Sequence, residues 1–186
     1  MAWIRVIEPE EASGALKDVY EQTVGKRGKL AAVHKIHSLH PESLTAHMAL
    51  YMTLVFGRSP LSRREREVIA VAVSRANGCA YCVAHHSDAL RRYEKDPAVV
   101  AAVHTGEWGA LKPRDAALCR YADKLTRLPS VCTESDVAAL RAAGLTDAEV
   151  LDTAQITGYF NFVNRLVLGL GVAVEAEAER EGYKYD

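Results

Sequence analysis

The chain has 186 residues, 49% of them apolar and 25% charged, and a formal net charge of −1. That length suits one domain burying about 70% of its unfolded surface, and the balanced charge gives no electrostatic case for nucleic acid. No apolar run approaches the roughly 18 residues of a membrane span, and Met1–Pro9 lacks the basic start and long apolar core of a secretory signal, so a cytoplasmic protein with reduced thiols and no membrane partner is expected.

Helical periodicity runs almost throughout, and the expected fold class is all-α. Ala12, Leu16, Val19, Tyr20 and Thr23 form one stripe, closed by Gly25. Leu44, Met48, Tyr51 and Val55 form a second, with Pro41 at its first turn and Gly57 as its stop. Ser62-Arg63-Arg64-Glu65 is a capping box, and the helix it opens runs to Asn77-Gly78. Its middle, Val68 to Val73, is apolar on every side and reads as a fully buried helix. The basic runs Lys26-Arg27-Gly28-Lys29 and Arg63-Arg64-Glu65-Arg66 read as solvated surface.

Further along, Asp96-Pro97 and Pro113 open helices, and Gly106 is a stop. Thr133-x-x-Asp136 and Thr146-x-x-Glu149 are two more capping boxes. The last segment, from about Asp147, contains Gly158, Gly169 and Gly171 and is expected to be kinked or split. No alternating strand pattern, low-complexity tract or repeat interrupts this order. The chain is therefore expected to be a single helical domain over 1–186, with N-terminal helices at 1–57, a core at 58–127 and C-terminal helices at 128–186.

The chemistry concentrates in Asn77-Gly78-Cys79-Ala80-Tyr81-Cys82-Val83-Ala84-His85-His86. Asn77-Gly78 ends one helix, so Cys79 should begin another, with both sulfurs near its first turn. Unpaired N–H groups there favour a thiolate. His86 lies four residues after Cys82 and shares its helix face. His85 points about 100° away and reads as a surface or packing histidine. Glu67 is either an exposed member of the charge run or a buried carboxylate facing His86 and orienting it. Cys119 and Cys132 read as packing residues. Asn161 and Asn164 either line a site or hydrogen-bond between helices.

The set Glu67-x11-Cys79-x-x-Cys82-x-x-x-His86 resembles the core of alkylhydroperoxidase D, the peroxidase branch of the carboxymuconolactone decarboxylase superfamily, over residues 40–125. Asn161-Phe162-Val163-Asn164-Arg165 is similar to the last helix of a peroxidase-related subfamily. The resemblance implies an alkylhydroperoxidase D-like helical bundle with Cys79, Cys82, His86 and Glu67 as catalytic residues. It implies reduction of organic hydroperoxides through a dithiol–disulfide cycle, with no cofactor beyond that pair. A hydroperoxide substrate, a thiol or dithiol reductant protein and further copies of the chain are then the partners. Tyr81 departs from the pattern, which carries a histidine between the cysteines. A phenol does not shuttle protons near neutrality as imidazole does. Two other readings share these residues. One is a redox-sensing or scaffold subunit that does not turn over. The other is a zinc-binding domain using Cys79, Cys82 and one of His85 and His86, which is one ligand short of a structural site.

Overall fold

The computed structural model describes residues 2–176 and 180–184, and among these there are helices and no strands. The main elements are α1 (Gly14–Arg27), α2 (Ala32–Lys35), α3 (Pro41–Tyr51), α4 (Arg63–Ala76), α5 (Ala80–Tyr93), α6 (Pro97–Thr105), α7 (Pro113–Arg127), α8 (Glu134–Ala142) and α9 (Asp147–Gly169). A π-helical turn, Met52–Phe56, extends α3.

At the centre stands α4, wrapped by α5, α7 and α9. This follows from its composition: Val68 through Val73 are completely buried, each valine or isoleucine side chain contributing about 1.5–3 kcal/mol on leaving water. The helix starts where its capping box places it. The Ser62 hydroxyl accepts from the Glu65 amide, and the Glu65 carboxylate accepts from the Ser62 amide at 2.8 Å. Thr146 and Glu149 do the same for α9, with the reciprocal bond at 2.7 Å. The fold is the all-α class that the pattern predicts.

Three local expectations are corrected. Helix α1 runs past Gly25 and stops at Gly28, whose φ of 77° is the left-handed conformation that ends helices. Gly158 does not split α9, which is continuous from Asp147 to Gly169. Nor are the two basic runs solvated throughout: Lys26 is exposed, but each run has one buried arginine. Arg27 and Arg66 are buried. The Arg27 guanidinium lies 4.6 Å from the Phe56 ring centre. Arg66 donates to the carbonyls of Val55, Gly57 and Leu61 at 2.9–3.0 Å. The end of the π-helical turn accounts for part of the second case: the Val55 and Gly57 carbonyls there accept from Arg66.

Candidate active site

Helix α5 begins on top of α4, and its cap builds the site. Cys79 sits at the N-cap in an extended conformation, and its Sγ accepts from the Cys82 amide at 3.3 Å. One turn of helix brings the two Cα atoms to 5.4 Å, and the sulfurs are joined as a disulfide. Cys79 is wholly buried, whereas Cys82 lines a cavity of about 70 Å³.

His86 lines the same cavity one turn beyond Cys82. Its Nδ1 lies 2.8 Å from Oε2 of Glu67. Glu67 is thus the buried carboxylate facing His86, not an exposed member of the charge run: its side chain is 1% exposed. Its other oxygen accepts from Arg63 at 2.5 Å. Burial pushes the Glu67 carboxyl up, but His86 and Arg63 outweigh it and hold it below the usual carboxylate value. An ionised Glu67 fixes the proton of His86 on Nδ1 and leaves Nε2 as an acceptor. Phe160, edge-on to His86 at 4.4 Å, closes the opposite side.

His85 is corrected. It is neither surface nor packing but a wall of this cavity, with its Nε2 2.9 Å from the Glu175 carboxylate and its ring 4.4 Å from that of Tyr81. The Tyr81 hydroxyl accepts from the Val33 amide at 3.3 Å. Burial and the nearby Glu175 carboxylate raise it well above a normal phenol, so it stays protonated. Asn161 and Asn164 lie away from the cavity. Both accept from the Asn77 amide group, at 3.0 and 3.3 Å, and so clamp the end of α4 to α9.

The sequence reading missed most of the remaining wall: Arg27, His34, His47, Tyr159 and Tyr183. These come from five separate segments, and nothing in their local spacing marks them. His47 accepts or donates at 3.2 Å to the Tyr159 hydroxyl, and burial together with His37 lowers it to about 4. Cys119, as expected, is buried in the core, and burial raises its thiol far above the cysteine norm.

A model described as the carboxymuconolactone decarboxylase family matches residues 41–124. A peroxidase-related protein of Ralstonia eutropha JMP134, described as an alkylhydroperoxidase AhpD core, is 31% identical with a TM-score of 0.84, covering 95% of this chain and 93% of its own. The chain belongs to the alkylhydroperoxidase D-like group of the carboxymuconolactone decarboxylase superfamily. A peroxidase-related protein of Silicibacter sp. TM1040 is 30% identical with a TM-score of 0.79, covering 99% of this chain and 93% of its own. The alkylhydroperoxidase D-like fold is also that of the debrominase Bmp8, at 19% identity and a TM-score of 0.77, covering 92% of this chain and 91% of that one. Among the described residues, no helix is long and apolar enough to cross a membrane.

Proposed function

We propose that the protein is a cysteine-based peroxidase that reduces small organic hydroperoxides or hydrogen peroxide at Cys82. One observation carries this reading: Cys82, paired with Cys79, shares a small cavity with a histidine that a buried carboxylate orients. In the reduced protein His86 Nε2 takes the Cys82 proton, and the thiolate attacks the distal oxygen of the hydroperoxide. The O–O bond breaks, Cys82 becomes a sulfenic acid, and the alkoxide takes a proton to leave as alcohol. The Cys79 thiol then condenses with the sulfenic acid, releasing water and forming the disulfide. A thiol or dithiol reductant restores the pair by exchange. The cycle needs no further cofactor and suits a compartment that keeps thiols reduced. The cavity's volume favours a small substrate over a bulky lipid one.

A homo-oligomer is part of this proposal, because α9 and α3 leave Phe162 and Leu50 about half exposed on neighbouring faces.

The test is consumption of tert-butyl hydroperoxide by pre-reduced protein with a dithiol reductant. Two thiols per chain should disappear and return, Cys82→Ser should abolish turnover, and Cys79→Ser should stop at a sulfenic acid trapped by dimedone. Unchanged turnover in Cys82→Ser removes the site as proposed, and a single equivalent consumed without cycling favours a redox sensor.

A further inference from the structure

Two histidine–carboxylate pairs border the cavity through their imidazoles. His86 is held through Nδ1 by Glu67, and His85 is held through Nε2 by Glu175. The two pairs are mirror images in one respect. Among the described residues, no group hydrogen-bonds Nε2 of His86 or Nδ1 of His85. Adjacent positions on a helix point about 100° apart, so one helix places two imidazoles on different walls around Cys82. His85 is only 14% exposed, and Glu175, from the segment after α9, is 21% exposed. Tyr81 supports the His85 ring from below, and Tyr183 meets it edge-on at 5.5 Å.

We propose that His85 is a second catalytic residue, the general acid for the leaving oxygen, and that Glu175 positions it. This rests on the peroxidase reading above. The proposal answers a chemical need. Attack by the Cys82 thiolate forms the S–O bond and breaks the O–O bond, and the electron pair of that bond leaves on an alkoxide, a strong base. His86 has just taken the thiol's proton on the thiolate side. His85 in its imidazolium form gives its Nδ1 proton to the alkoxide, which departs as alcohol. The proton held by His86 then returns to His85 through solvent, so the step is neutral in protons. Cys82, His85 and His86 line the same cavity, so an occupant at Cys82 lies in the space that both rings border. Tyr81, protonated and bonded to the Val33 amide, is a rigid support and not a shuttle. A donor there has to be supplied by a neighbour.

The test exploits the leaving group. Acetate leaves peracetic acid without needing a proton, whereas tert-butoxide needs one. Single-turnover oxidation of pre-reduced protein is followed by free-thiol loss with each oxidant, for the unaltered chain, His85→Gln and Glu175→Gln. The expected result is a fall on the order of 100-fold with tert-butyl hydroperoxide in His85→Gln, and a fall of less than about threefold with peracetic acid. Glu175→Gln, which leaves the imidazole in place, should show the same discrimination at about a tenth of the size. Equal losses with both oxidants, or none with either, overturn the assignment. Failure of the unaltered chain to lose thiols with either oxidant is a separate result. It overturns the peroxidase reading itself.

Discussion

The Glu67 carboxylate and the His86 imidazole meet at 2.8 Å across the seam between α4 and α5, with the carboxylate almost wholly removed from water. An ion in that position is stable only because it is paired. Its partner on the other side is Arg63, four residues earlier on the same helix. The chain Arg63–Glu67–His86 therefore fixes both the charge of the carboxylate and the tautomer of the ring. Glu67→Gln keeps the volume but offers His86 an amide in place of an anion. The rate of Cys82 oxidation by hydroperoxide should drop on the order of 100-fold, while the disulfide still forms with slow oxidants such as air. Stopped-quench thiol counting on the pre-reduced variant checks this, and an unchanged rate would show that His86 needs no carboxylate.

The site was partly legible because its densest part is local. Cys79, Cys82 and His86 lie within about two turns of one helix, where spacing alone fixes which side chains share a face. Glu67 is the intermediate case. Its residue type and position before a wholly apolar run permitted a buried role, but the same Arg-Glu-Arg-Glu run permitted an exposed one. Only packing of α5 on α4 decides between them. The rest of the cavity wall was not legible, because Arg27, His47, Tyr159 and Tyr183 are assembled from distant segments. The fold was more legible than the site for a similar reason. Caps and stops are local signals, and Ser62, Thr146 and Gly106 mark real helix ends. The basic runs misled because charge predicts exposure only where the backbone has no unmet carbonyls nearby.

Arg66 makes that last point testable. Its guanidinium donates to three carbonyls, two at the end of the π-helical turn (Val55 and Gly57) and one just before α4 (Leu61). The Val55 carbonyl keeps its bond from Arg63 at 3.0 Å, but a lysine ammonium cannot serve both the Gly57 and the Leu61 carbonyls, and one of these loses its donor. Arg66→Lys should cost about 2–3 kcal/mol, which for a chain of this size lowers the thermal midpoint by about 5–10 °C. Calorimetry at neutral pH reads it directly. A midpoint within about 1 °C of the original would mean that water replaces the lost donor.

Gly28 ties the end of α1 to the segment that borders the cavity. Its φ is 77°, and a Cβ there would come within 2.8 Å of the Gly182 carbonyl oxygen. The Lys184 amide meanwhile donates to the Arg27 carbonyl at 2.9 Å. Gly28→Ala therefore strains the turn and pushes the 180–184 segment off α1. The expected cost is about 1–2 kcal/mol. Limited proteolysis should cut after residue 176 faster than in the unaltered chain, and equal cutting rates would refute the coupling.

Stability should also fall on mild acidification, and the sign follows from His47. Burial and the facing His37 lower it from 6.5 to about 4 in the folded chain. The unfolded chain therefore binds the proton more readily, and the stabilisation present above pH 6.5 is lost as pH falls toward 4. Between about pH 7 and about pH 5 this one group accounts for about 2 kcal/mol of lost stability. His34 and His37, also lowered first of all by burial, act in the same direction. The depressed carboxylates Glu65, Glu67 and Glu94 contribute stability above their unfolded value of 4.5, and they lose it only below that. The two windows are thus separate. Urea unfolding at pH 7 and pH 5 should show a drop in the unaltered chain that is smaller by about 2 kcal/mol in His47→Gln. An identical drop in both proteins would place the proton uptake elsewhere.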